Sequence, residues 1–219
     1  MGKSTRKPGA ERREEIFQAV FRIVGERGVT SLTTTALAEE IGVSTGALFR
    51  HFRSRDAILQ EAVEYALVRI EETFPPAHLP PVERMLRLAR NRVHLFESDP
   101  GLGWLVRSEQ AYLTLPAGAV KRLRALVERS TDYIREAIRD GVAQGSIRSD
   151  IEPEALLIVV MGTVHALVGG SGMHRRSVRQ RSRNRDRVLA ALARLLSPDG
   201  ARETDGSNGR RGPQLKPEV

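Results

Sequence analysis

Thr45, Gly46, Phe49 and Arg50 are the residues whose types and spacing best fit them for chemistry on a nucleic acid. At about 100° per residue they share one arc of a helix, and Leu48 and Phe52 share the opposite arc. An arginine grips guanine O6 and N7 through paired N–H donors, and a threonine methyl meets a thymine methyl in the major groove. Gly46 lets the backbone come close, and Phe49 offers an apolar face to a sugar or a thymine methyl. The inner pair would hold the helix to a core while the outer arc meets base edges. That division of labour belongs to the second helix of a helix-turn-helix, whose N-terminal end lies in the groove.

The elements that must position this arc are legible on either side. Leu37, Ala38 and Ile41 mark one buried face of a preceding helix, which begins at Thr34 and Thr35, two hydroxyls able to donate to phosphate. Gly42 stands where a helix ends in a left-handed residue, Val43 is expected to point back into the core, and Ser44 can cap the reading helix. Ser54 is a second N-cap, followed by Asp56 in the first turn, where the helix dipole favours an acid. Ile58, Leu59, Ala62, Val63, Ala66, Leu67 and Ile70 then continue at helical spacing to about Phe74. Upstream, Ile16, Ala19, Val20, Ile23 and Val24 form a helical stripe ending at Gly28.

The run GVSTGALFRHFRSRDAIL at 42–59 resembles the DNA-binding signature of the TetR family of transcriptional regulators. With the upstream stripe and VTSLTTTALA at 29–38, the resemblance extends over residues 10–66. It implies an all-α fold, with a three-helix DNA-binding head and a helical body for effector binding and dimerisation. It also places His51 and Arg55 at phosphate-contacting positions. The candidate DNA contacts are therefore Thr34, Thr35, Ser44, Thr45, Gly46, Phe49, Arg50, His51 and Arg55. Two residues depart from the family pattern: Phe49 replaces the usual tyrosine and loses its hydroxyl, and Arg55 replaces the usual lysine.

Composition agrees with an anionic partner: 35 Lys and Arg against 27 Asp and Glu give a net charge of +8 over 219 residues. With no cysteine in the chain, disulfides and thiolate metal sites are excluded. The charged N-terminus lacks the apolar segment of a signal peptide, and the most apolar stretch, 155–168, is too short to span a bilayer. A cytoplasmic protein without membrane contact is expected.

Four regions follow from the pattern of breakers: a disordered basic arm at 1–9, a DNA-binding unit at 10–74, a helical body at 82–196 and a disordered tail at 197–219. The arm is either a solvated tail or a strap along the DNA backbone. The proline-rich run 75–81 marks the boundary. In the body, helices are expected at 82–97, 102–113, 117–144, 152–168 and 178–196. Small residues at Gly162, Ala166, Gly169 and Gly170, with a leucine stripe near the C-terminus, permit the last two helices to pair across a two-fold axis, as the resemblance implies. The stripes serve equally as intramolecular core.

Polar and aromatic residues in otherwise apolar helices are the pocket candidates: His94, Trp104, Glu109, Tyr112, Met161 and His165, with Phe96 and Tyr133. Each either touches a ligand or satisfies its own hydrogen bonds in a core. The segment at 174–187 carries seven arginines against Asp186 and is a solvated face, an anion-binding surface for nucleic acid or an acidic partner, or a set of cations paired with acids across a dimer. No enzymatic, metal-binding or cofactor motif is present. The expected function is a sequence-specific transcriptional regulator, a repressor released from a palindromic operator by a small molecule. The alternative is a DNA-binding protein without an effector, acting as an architectural or partner-recruiting module.

Overall fold

Thr33 starts the helix-turn-helix: its Oγ1 accepts from Ala36 N at 3.0 Å and caps the helix Thr34–Glu40. The computed structural model describes residues 9–173 and 178–198. Among them all regular structure is helical: α1 (Gly9–Arg27), a 3-10 turn at Val29–Ser31, α2 (Thr34–Glu40), α3 (Thr45–Leu48), α4 (Arg55–Glu71), α5 (Pro81–Ser98), α6 (Pro100–Arg107), α7 (Glu109–Thr114), α8 (Ala117–Ala143), α9 (Pro153–Met173) and α10 (Val178–Leu196). The expected arm and tail lie almost wholly outside these residues, as do 174–177 of the arginine-rich segment.

The all-α reading holds, with two differences in the body. The helix expected at 102–113 is two, α6 and α7, separated by Ser108 in extended conformation (φ −93°, ψ 122°). Asp99 starts α6 earlier than expected by accepting from Leu102 N, and the Arg107 side chain closes its last turn on the Gly103 carbonyl. Neither glycine nor proline marks the break. The second difference is α9, which continues past the expected end at 168, through Gly169 and Gly170 to Met173.

The α1 stripe Ile16, Ala19, Val20, Ile23 and Val24 is buried, and it packs with Leu48, Phe52 and the inner face of α4. The same apolar cluster continues into α5, α6 and α8 through Val93, Phe96, Leu102, Leu105 and Leu123. A second cluster at the far end joins Met85, Leu88, Ile134, Ile138 and Leu156 to Leu192 and Leu196 of α10. The head thus rests on the body through shared apolar packing. Glu40 ties α2 to α1 by accepting from Arg22 at 2.6 Å and Arg27 at 2.7 Å.

Candidate nucleic-acid interface and effector cavity

The turn between α2 and α3 is a Schellman motif. Gly42 is left-handed at φ 67°, Gly42 N donates to Glu39 O at 3.1 Å, and Val43 N donates to Ala38 O at 2.9 Å. Val43 is half-buried and outside the core cluster, so it grips less deeply than the sequence suggests. Ser44 Oγ accepts from Ala47 N at 3.1 Å and caps α3 as expected. With that cap set, Leu48 is 1% exposed and Phe52 3%, and the Phe52 ring meets Phe17 edge-on at 5.8 Å.

Inward anchoring leaves the outer arc in solvent. Thr45, Gly46, Phe49 and Arg50 are all exposed, Phe49 by 44%, and a side chain at Gly46 would meet nothing closer than Ser44 Oγ at 3.9 Å. The Arg50 amide closes the helix end on the Ala47 carbonyl at 3.3 Å, and its side chain makes no hydrogen bond or ion pair with a described residue. Thr35 is exposed beside the capped start of α2, and Thr34 is half-buried. His51 is half-buried, and its carbonyl accepts from Arg13 Nη2 at 2.8 Å while the Arg13 guanidinium lies over the Phe52 ring. Arg55 reaches back to the Leu32 carbonyl at 3.4 Å and so also braces the strand of chain that enters α2. One residue escaped the sequence reading: Arg53 is exposed and unpaired among the described residues, between the reading helix and the Ser54 cap. Its place in the run RHFRSR was the available signal.

In the body, α5, α6, α8 and α9 enclose a cavity of ≈ 50 Å³. Met161 and His165, both named from sequence, line it, Met161 half-buried and His165 exposed at its rim. Of the other candidates, Phe96 lines it too, whereas His94 and Glu109 face solvent. Trp104 lines a separate ≈ 20 Å³ crevice between head and body. Tyr112 sits under Arg124 at 5.8 Å, and Tyr133 donates to the Pro75 carbonyl at 2.9 Å.

The polar wall of the cavity is Arg92, Ser130, Arg107 and His165. Arg92 is only 8% exposed; its Nε donates to Thr73 Oγ1, and its Nη2 donates to Ser130 Oγ at 3.1 Å. Burial, with the Arg129 charge nearby, pushes its pKa down to about 10. Burial and the Arg107 charge likewise hold the His165 imidazole below its usual range. Sequence reasoning passed over Arg92, although it interrupts the apolar stripe Met85, Leu88, Ala89, Val93 and Phe96 of α5.

A capped, outward-facing α3 held behind α2 by a glycine turn, in described residues that are otherwise helical, defines a helix-turn-helix DNA-binding regulator of transcription. Residues 16–62 match the family described as "Bacterial regulatory proteins, tetR family", and residues 81–196 match "Tetracyclin repressor-like, C-terminal domain". The chain belongs to the TetR family. It is 27% identical over 159 residues to the nucleoid occlusion factor SlmA of Vibrio vulnificus, covering 71% of this chain and 81% of that protein. Two solved structures share the fold. AibR, in complex with isovaleryl coenzyme A and operator DNA, has a TM-score of 0.69 at 18% identity, covering 85% of this chain and 98% of that one. The ketosteroid transcriptional regulator KstR2 of Mycobacterium tuberculosis has a TM-score of 0.70 at 16% identity, covering 85% and 95%. No helix among the described residues is long and apolar enough to cross a membrane.

Proposed function

We propose that two copies of this chain bind an inverted-repeat operator through their heads and leave it when a small molecule enters each body. Thr45 and Arg50 read base edges; Thr34, Thr35, Ser44, His51, Arg53 and Arg55 set register on the phosphates, and Phe49 packs on sugar or a thymine methyl. The observation that carries this reading is the exposed arc of α3 over the buried Leu48–Phe52 anchor. Residues 10–74 act as the DNA-binding unit and 82–196 as the regulatory one.

The dimer forms through α9 and α10. Ile158 is 72% exposed, Val159 47% and Leu195 59%, and Gly162 and Ala166 lie open on the same helix as the first two. Such apolar exposure marks an interface, and small residues permit close helix approach. A two-fold pair then presents its reading helices to half-sites one turn of DNA apart.

Coupling runs through α6. Its N-terminal end is held to the head by Asp99, which caps the helix and pairs with Arg69 of α4 at 2.7 Å. Its C-terminal end contributes Val106 and Arg107 to the cavity. A ligand that favours a shifted α6 by ~1–3 kcal/mol changes head spacing and hence operator affinity. Like AibR, a regulator crystallised with both ligand and operator, the protein would respond to an organic effector. The tight cavity favours a second reading, a DNA-binding module without effector. Anisotropy titration of a labelled operator duplex by wild type and Arg50→Ala, each repeated across an effector library, separates the two. Loss of binding in the variant and release by a compound support the proposal; release by none supports the second reading.

A further inference from the structure

Arg92 is a buried cation without a counter-ion. No carboxylate of a described residue lies within ion-pair distance of it; its polar partners are the neutral hydroxyls of Thr73 and Ser130. A second cation deepens the problem. Arg92 and Arg129 both lie over the Phe74 ring, at 4.9 and 5.5 Å from its centre, and Arg129 already pairs with Glu71. The other buried arginine of α5, Arg84, has the usual solution, an ion pair with Asp140. Leaving a charge buried and uncompensated is strongly destabilising, so a fold optimised for stability alone would place an apolar residue at position 92.

The surroundings say what would compensate it. A guanidinium has five N–H donors, and two are used on Thr73 and Ser130, which leaves three. Ser130 is part of the cavity wall, and Arg107 stands with His165 on the same wall. No acidic residue lines the cavity. His165, its imidazole held below the usual range by burial and the Arg107 charge, adds a hydrogen-bonding group to that wall. The rest of the wall is apolar and includes Met85 and Met161, flexible side chains that repack readily around a guest. At ≈ 50 Å³ the space holds little more than a polar head, so a guest's apolar part must displace these side chains.

We infer that the body takes a small organic monocarboxylate, whose anionic end meets Arg92 beside Ser130 and whose apolar part lies among Met85, Leu88 and Met161. Resting on the reading of the body as an effector domain, this names the class of effector. Arginine and carboxylate match in geometry and charge, and the pair forms at the buried end of the cavity, where Arg92 is 8% and Ser130 6% exposed and a charge-assisted bond counts most. A neutral ligand would leave Arg92 uncompensated, and an amine would add a third cation to the Arg92 and Arg107 pair.

The test compares octanoate, octanol and octylamine, which share a chain and differ in charge. Calorimetric titration of each into the full-length protein is expected to show octanoate binding roughly tenfold or more tightly than octanol, with no heat from octylamine. In Arg92→Met, which keeps the bulk, that preference for octanoate should vanish, whereas Arg92→Lys should retain part of it. A circular dichroism melt verifies that each variant folds, and Ser130→Ala, which leaves the charge in place, provides a milder second probe with a smaller loss. Equal or tighter binding of octanol or octylamine, an unchanged octanoate affinity in Arg92→Met, or no binding by any of the three overturns the assignment. Octanoate binding with operator affinity unchanged would keep the site and refute regulation through it. Release of operator by a neutral or cationic compound alone would keep the regulation and refute the carboxylate.

Discussion

Gly25 of α1 and Gly101 of α6 meet backbone to backbone. A Cβ on Gly25 would lie 2.9 Å from Gly101 N, and one on Gly101 would lie 2.1 Å from the Phe21 carbonyl oxygen. Both contacts are with main chain, which cannot swing aside as a side chain can. Head and body therefore touch at a point where no other residue fits, and this contact sits on the helix that also reaches the cavity.

Gly101→Ala is accordingly expected to cost ~1–3 kcal/mol through forced separation of α1 and α6. Its thermal midpoint should fall by roughly 5 °C. Gly103→Ala is the control, because a Cβ there would meet nothing closer than 3.4 Å; its midpoint should stay within about 2 °C of wild type. Differential scanning calorimetry of both variants distinguishes a close-approach glycine from a merely helical one. Equal midpoints would show that α6 has room to shift.

The capping bond of Ser44 supports a helix of four residues, Thr45–Leu48, which has little else to order its first turn. Ser44→Ala should lose ~1 kcal/mol of local stability and weaken operator binding about fivefold. Ser44→Asp keeps the cap but puts a negative charge at the phosphates. It should melt like wild type and bind DNA far more weakly than Ser44→Ala. If Ser44→Asp binds as well as wild type, the α3 N-terminus does not face DNA.

Arg50 and Arg53 are close in sequence and are expected to fail differently. Arg50→Ala should cost ~1–3 kcal/mol on the preferred site and relax base preference at one position of each half-site. Arg53→Ala should weaken all sequences alike and reduce the slope of log affinity against log salt by about 1 per lost contact. Binding isotherms at several salt concentrations, on preferred and scrambled duplexes, resolve the two. Identical behaviour of both variants would remove Arg50 from base reading.

On the body, Ile158→Asp combined with Leu195→Asp places charges where the α9–α10 interface is proposed. Sedimentation velocity should show dimer in the wild type and monomer in the double variant, with self-association weakened by roughly a hundredfold or more. Both side chains are exposed in the single chain, so its fold should survive, and circular dichroism should be unchanged. Retained dimers would move the interface elsewhere.

The head was legible because its signals are local. Gly42, Ser44 and Ser54 announce their turn and caps by residue type, and the Leu48–Phe52 anchor follows from helical periodicity alone. The break at Ser108 was not legible, because a side chain folding back on the Gly103 carbonyl leaves no trace in composition. The cavity was half legible. Met161 and His165 stood out as odd residues in an apolar helix. Arg92 did not, since an arginine on an amphipathic helix reads as surface until the packing of Phe74 and Ser130 buries it. The close approach of Gly25 to Gly101 joins helices far apart in sequence, and nothing in either segment predicts its partner.

Whether paired heads read a specific operator is decided by selecting bound sequences from a random DNA pool at near-physiological salt. The expected result is an inverted repeat with half-sites spaced about one turn of DNA apart, recovered by the wild-type protein and altered in Arg50→Ala. Recovery of a pool without sequence preference, held only by salt-sensitive contacts, would contradict it.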